Sequence, residues 1–190
     1  MFLKDSSAPR SYRTLVCYVI IAASMNTTAS GVPDLAIIIV NYNTCSLLRE
    51  CLQSVYASRL DCLAVSVCVV DKGAPDDSVS MVRNQYPQAH VIANSGNPGY
   101  PAANNQGLRY FGWTAVTAAG QLPGYALLLN PDTKLPPDAL AEMIRFMEAH
   151  PRAGVAGPKL VRLDGSLDKA CRRSFPTPQV SACHMLGLDR

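Results

Sequence analysis

The 190 residues contain neither a GxGxxG run nor the glycine–lysine pattern of a P-loop. A dinucleotide fold or a P-loop needs such glycines to bring backbone against phosphate, so both readings lose their main support. No CxxC pair occurs, and the three histidines (His90, His150, His184) are scattered, so no zinc pattern forms. Charge is scarce: Asp, Glu, Lys and Arg make up 16% of the chain, with a net charge of +3. No basic run and no basic–aromatic alternation is present, which argues against a nucleic-acid partner. The apolar run LVCYVIIAA (15–23) is too short to cross a bilayer as a helix.

What is present is a chain of single-domain length with 48% apolar residues, enough for a packed core and too apolar for disorder. Seven cysteines stand at 17, 45, 51, 62, 68, 171 and 183, an odd number without metal spacing. Most read as small hydrophobes in a reducing, cytoplasmic setting. The run at 15–23 follows Lys4, Arg10 and Arg13 and resembles a weak signal sequence. The plainer reading makes residues 1–24 no part of the fold and residues 1–30 an N-terminal extension, with the domain over 31–190.

Along the chain, LAIIIV (35–40) reads as a strand buried on both faces. A helix follows in which Leu47, Leu48, Cys51, Leu52 and Val55 share a face, with Asn43 or Thr44 as its cap. AVSVCVV (64–70), AHVIA (89–93) and YALLL (125–129) read as further strands. The segments PDDSVSMVRNQY, YPAANNQGLRYFGWTAVTAAG and PPDALAEMIRFMEAH read as helices, the last opened by its prolines. AGVAGP is a short fifth strand, and Asp164-Gly165 marks a hairpin. The order βαβαβαβαβ predicts an α/β fold with a mostly parallel sheet and helices on both faces.

Ligands of such sheets bind where loops leave the carboxyl ends of the strands. There the chain offers Asn41-Tyr42-Asn43, Asp71-Lys72-Gly73, NSGNPGYPAANNQG and Asn130-Pro131-Asp132. Tyr42 could stack on a flat base, or the tripeptide could only cap the next helix. Asp71, an acceptor when ionised, suits the N3–H of uracil or thymine or the donor edge of guanine, and it also suits a turn before Gly73. The asparagines of NPGYPAANNQG suit sugar hydroxyls or phosphates; such loops are also ordinary turns. Asp132, leaving a buried strand, needs a partner, and a hard divalent cation is one. Asn130 can add a neutral oxygen; the alternative is local capping.

Taken in order, IIIVNYNT, VVDKGAPDDS, NPGYPAANNQGL, LLLNPDT, GVAGPKLVRLDGS and CRRSFPTP resemble the family 2 inverting glycosyltransferases of the GT-A fold, over about residues 35–178. The match is nearest to the bacterial rhamnosyltransferase branch that serves cell-surface polysaccharide synthesis. The resemblance implies a Rossmann-like nucleotide-diphospho-sugar transferase fold, a dTDP- or UDP-sugar donor, and a Mg²⁺ or Mn²⁺ cofactor. By it, Asn41 and Tyr42 lie at the nucleotide, Asp71 hydrogen-bonds the base, and Asn104 and Asn105 line the donor. Asp132 matches the last acid of a DxD-like motif that holds the metal, with Asn130 at its first position. The acceptor implied is a glycan or lipid-linked hydroxyl, at the inner face of the cell membrane.

The chain departs from the family pattern at Lys72, Ala74, Asp77 and Pro101. The acidic pair that marks the acceptor half does not appear by Arg190. The expectation is therefore a fold incomplete at its C-terminus, with no catalytic base assigned and Asp164 and Asp168 the first candidates if one is present. The alternative is a truncated, non-catalytic remnant that binds nucleotide weakly or not at all. A dehydrogenase or flavin protein is disfavoured by the missing glycines.

Overall fold

A computed structural model describes residues 19–22, 31–60, 63–113, 122–159, 161, 165–167, 177 and 185 of the 190. Ten elements appear among them: β1 (Val19–Ala22), β2 (Leu35–Asn41), α1 (Cys45–Tyr56), β3 (Val65–Asp71), α2 (Ser78–Gln85), β4 (His90–Ala93), α3 (Tyr100–Tyr110), β5 (Tyr125–Leu129), α4 (Ala139–Ala149) and β6 (Val155–Ala156). They build one sheet in the order β4-β3-β2-β5-β1-β6. The pairs β2–β3, β2–β5 and β3–β4 are parallel, as the alternation of strands and helices predicts.

β2 lies at the centre of the parallel part, and all seven of its residues are buried. Its run of β-branched side chains suits a strand covered on both faces. Alternation then sorts the core. Leu35, Ile37 and Ile39 pack with Leu48, Leu52 and Val55 of α1, Val82 of α2, and Leu140 and Ile144 of α4. Ala36, Ile38 and Val40 face the other way, toward Ala103 of α3. Helices therefore cover both faces, three on one and α3 on the other.

α3 comes unusually close to the sheet at Gly107. A Cβ there would stand 2.5 Å from Ile38 Cγ2 and 2.9 Å from Cγ1, so only glycine allows this contact. The helix expected over 100–120 stops at Tyr110. Gly112 takes a φ of 96°. Its N–H reaches Arg109 O and the Trp113 N–H reaches Leu108 O, each at 3.0 Å. This is a Schellman ending with glycine at its left-handed position.

One expectation is corrected outright. Val19–Ala22, read as standing outside the sheet, form β1 and pair antiparallel with β5, Val19 opposite Leu128 and Ala22 opposite Tyr125. β1 also pairs antiparallel with β6, so β6 reaches the sheet through it. Four apolar residues, three of them β-branched, form a strand whose backbone satisfies the open hydrogen-bonding edge of β5. Further on, an antiparallel bridge joins Val161 to Leu167, and Gly165 turns between them with a φ of 80°, consistent with the expected hairpin.

Candidate functional site

The strand order reverses at β2: β3 and β4 lie to one side of it and β5 to the other. Loops leaving the carboxyl ends here diverge and open a crevice. Register brings the expected residues to it. Asn41 pairs with Asp71, and Ile39 pairs with Leu129, so Asn130 follows at nearly the same level.

Asp71 is buried, 2% exposed, and its carboxylate is held from three sides. Asn41 Nδ2 donates to Oδ1 at 2.8 Å, while the N–H groups of Gly73 and Ala74 donate to Oδ2 at 2.9 and 3.1 Å. A carboxylate has about four acceptor positions, so the remaining capacity lies on Oδ1. Gly73 turns there with a φ of 75°, and a Cβ at that position would stand 2.8 Å from Gly96 N. The two loops thus pack backbone to backbone beside the acid.

Asn41 ends β2 directly opposite Asp71. It is fully buried, and both ends of its amide are used: Nδ2 on Asp71, and Oδ1 accepting from Thr44 Oγ1 at 2.7 Å. Thr44 stands at the start of α1, yet its hydroxyl does not cap the helix. The first helical N–H, that of Cys45, donates instead to Asp76 Oδ2 at 3.0 Å, and Asp76 Oδ1 accepts from Ser78 N at 3.2 Å. One aspartate from the following loop so serves the starts of α1 and α2. Sequence reasoning missed it, because a cap from 31 residues away leaves no local signal.

Tyr42, the residue after β2, is 46% exposed. Lys72 Nζ lies 5.2 Å from its ring centroid, a cation–π contact that covers one face of the ring. Asn43 beside it takes a φ of 55°, a conformation asparagine tolerates better than most residues. Asn104 and Asn105 are separated by the helix: Asn104 is 6% exposed and Asn105 faces solvent. Asn104 Nδ2 donates to Tyr100 O at 3.0 Å, and its buried Oδ1 has no protein partner. Asn94, not singled out from sequence, donates to Asp71 O at 2.8 Å and exchanges two 2.9 Å hydrogen bonds with Gln106. That pair ties the loop after β4 to α3.

At the end of β5, Tyr100 Oη donates to Asn130 Oδ1 at 3.1 Å. The Thr133 N–H closes the turn on Asn130 O at 3.3 Å. Asp132 is half-buried in that turn. Its charge reaches Cys51 beneath: burial, and then the Asp132 carboxylate, push the Cys51 thiol up to about 12. Cys51 stays neutral and donates to Asn130 O at 3.6 Å.

Among the described residues no group of three or more His, Cys, Asp or Glu gathers to hold a metal. The turn nevertheless fits a hard cation. Asp132 supplies a carboxylate, Asn130 a neutral oxygen, and the buried Thr133 Oγ1 has no protein partner. Mg²⁺ commonly takes one or two carboxylates and completes its shell with substrate phosphates and water. Asp164 and Asp168 lie outside the described residues. Beyond the turn, a groove of about 590 Å³ runs beside α4, with Lys134, Glu142, Phe146, Lys159 and Val161 among its walls. No helix among the described residues is long and apolar enough to cross a membrane.

The chain resembles known proteins in sequence and in fold. Over 110 residues the chain is 27% identical to the N-acetylglucosaminyl-diphospho-decaprenol L-rhamnosyltransferase of Mycobacterium tuberculosis, covering 57% of this chain and 36% of that protein. The crystal structure of S. aureus TarS 1-349 in complex with UDP superposes with a TM-score of 0.51 at 20% identity, over 62% of this chain and 32% of that one. TarS 1-349 without that ligand gives 0.50 at 19% identity, over 62% and 33%. These structures share the GT-A fold, and the chain spans about a third of the length of the relatives it matches. The family model for glycosyl transferase family 2 matches residues 36–178, the span that carries Asp71, α3 and the Asn130–Asp132 turn, and the chain belongs to that family.

Proposed function

We propose that this chain carries the donor-binding part of an inverting glycosyltransferase that takes a sugar from a dTDP- or UDP-linked donor. The observation that carries the reading is Asp71: a buried carboxylate at a strand end, aimed by three hydrogen bonds, with acceptor capacity left on one oxygen. An N3–H of uracil or thymine meets such an acceptor, whereas cytosine presents an acceptor there and is rejected. Tyr42 offers the ring face that Lys72 does not cover for stacking on the base.

The diphosphate then points toward the turn after β5. Asp132 and Asn130 would hold Mg²⁺ or Mn²⁺ there; when bound, the ion offsets the charge of the two phosphates. Asn104, whose Oδ1 lacks a protein partner, is available to a donor hydroxyl or to ordered water. This chain's described residues bind and orient the donor. We assign none of them as the base that takes the acceptor proton.

The Mycobacterium tuberculosis relative is named for a decaprenol-linked acceptor and for rhamnose. By that likeness we place a lipid-linked or polysaccharide hydroxyl as the acceptor, met at the cytoplasmic face of a membrane, in the synthesis of a surface glycan. The deciding experiment is calorimetric titration of the chain with dTDP, UDP, GDP and CDP, each with Mn²⁺ and with chelator. Binding of dTDP or UDP that strengthens with metal, and no binding of CDP, is expected. Equal affinity for CDP would refute the base assignment.

A further inference from the structure

α1 touches both ends of the donor site. At its start, Thr44 Oγ1 holds Asn41, which holds Asp71. Within the helix, Cys51 and Ser54 stand three residues apart and so share a face. That face meets the turn after β5. Cys51 Sγ donates to Asn130 O at 3.6 Å, and Ser54 Oγ accepts from the Leu135 N–H at 3.0 Å. These two contacts, made across 79 and 81 residues of sequence, bracket Asp132. Ser54 Oγ also donates to Cys51 O at 2.8 Å, which fixes its hydrogen and leaves its lone pairs toward Leu135. Ser54 is 9% exposed and Leu135 8% exposed, so water does not readily replace either partner. Just beyond the helix, Arg59 N–H donates to Pro137 O at 2.8 Å.

We propose that Ser54 is a positioning residue for the metal-carrying turn, and that α1 is the strut that sets this turn relative to the base carboxylate. The inference rests on the reading of Asp132 as the metal acid. The helix has twelve residues, so it is about 18 Å long and rigid over that length. It fastens to the Asn41–Asp71 pair at one end and to the Asn130–Leu135 turn along its last turns. A donor whose base is read at Asp71 and whose diphosphate is met at Asp132 is measured against that spacing. Without the Ser54 hydroxyl the Leu135 N–H loses its acceptor. A buried N–H without a partner is costly, so the turn shifts to find one and Asp132 moves with it.

The test measures binding to the full chain by calorimetry, for dTDP with Mn²⁺, dTDP with chelator, and thymidine. In Ser54→Ala the affinity for dTDP with Mn²⁺ is expected to fall by about tenfold, the scale of one orphaned buried donor. Binding of thymidine, and of dTDP with chelator, should stay at the parent level. Ser54→Thr keeps the acceptor oxygen and should restore the metal-dependent part. If Ser54→Ala does not fold, Ser54→Cys keeps the volume with a weaker acceptor and carries the same comparison, with an intermediate loss expected. An equal loss in all three titrations shows a merely structural role and overturns the proposal, as does no loss in any. Asp132→Ala separates the two levels of the argument. If it leaves the metal-dependent gain intact, the metal reading itself fails; if it removes the gain while Ser54→Ala does not reduce it, only the strut fails.

Discussion

Asn41 donates to Asp71 across two adjacent parallel strands, Nδ2 to Oδ1 at 2.8 Å, at the level where both strands end. The pair turns a buried carboxylate into a directed acceptor. Asp71→Ala removes that acceptor and should weaken dTDP and UDP binding by about 1–3 kcal/mol. Asp71→Asn should be worse for stability than its size implies, because an amide cannot offer acceptors to Asn41, Gly73 and Ala74 together. Titration of nucleoside diphosphate into each variant, beside a thermal melt, checks both statements; parent-level affinity in Asp71→Ala would remove Asp71 from the base site.

Asp132→Ala should abolish the metal-dependent gain in nucleotide affinity and leave the melting temperature nearly unchanged. The residue lies half-buried in the turn after β5 and belongs to neither hydrophobic cluster of the core. An unaltered response to Mn²⁺ would place the metal elsewhere.

Gly107→Ala should destabilise the fold by about 1–3 kcal/mol, since the added methyl meets Ile38 within the core and overpacking costs that much. The two positions should couple. Ile38→Ala opens the space, so the double variant should be less destabilised than the sum of the singles. Additive losses in urea melts would show that α3 does not press on β2 at this point.

Cys68 is buried in β3, and burial pushes its thiol up to about 12 from an ordinary 9.0. The folded state therefore keeps a proton that the unfolded state sheds between pH 9 and 12, and stability falls as pH rises through that window. Below pH 9 both states hold the proton and the thiol adds no pH dependence. Cys68→Val should flatten part of the alkaline decline in melting temperature; an unchanged slope would assign the decline to other groups.

Deletion of residues 1–24 should lower the melting temperature, because it strips β1 from β5 and leaves β6 without its partner strand. An unchanged melt would show that these strands contribute nothing measurable to the domain.

Much of this was legible because the signals were local. The four parallel strands stand out as short apolar runs, β-branched in β2 and β3, and Leu140, Ile144 and Met147 face the core as their spacing requires. The candidate residues Asn41, Asp71 and Asn130 lie at or just past strand ends, as the placement of the runs in the sequence implied. Alternation places Asn41 on the face of Leu35, Ile37 and Ile39, where it meets Asp71 and Thr44. The end of α3 was missed: the helix was expected to run across Gly112, whose φ of 96° stops it. The capping of α1 by Asp76 and the brace from Ser54 to Leu135 were not readable, since each joins residues far apart in sequence whose types are individually unremarked. The place of β1 was hidden for the same reason.

That separation also bears on how the chain is made. β1 is synthesised early, but Val19 finds Leu128 only after about a hundred further residues have been added. At about 5–20 residues per second, roughly 5–20 s pass before β5 emerges, and longer before β6 does. Through that interval a short apolar segment waits beside a growing domain whose β2–β3–β4 ladder can already form from consecutive units. Docking β1 on β5 closes a long loop, and contacts so far apart in sequence raise the contact order, which slows folding.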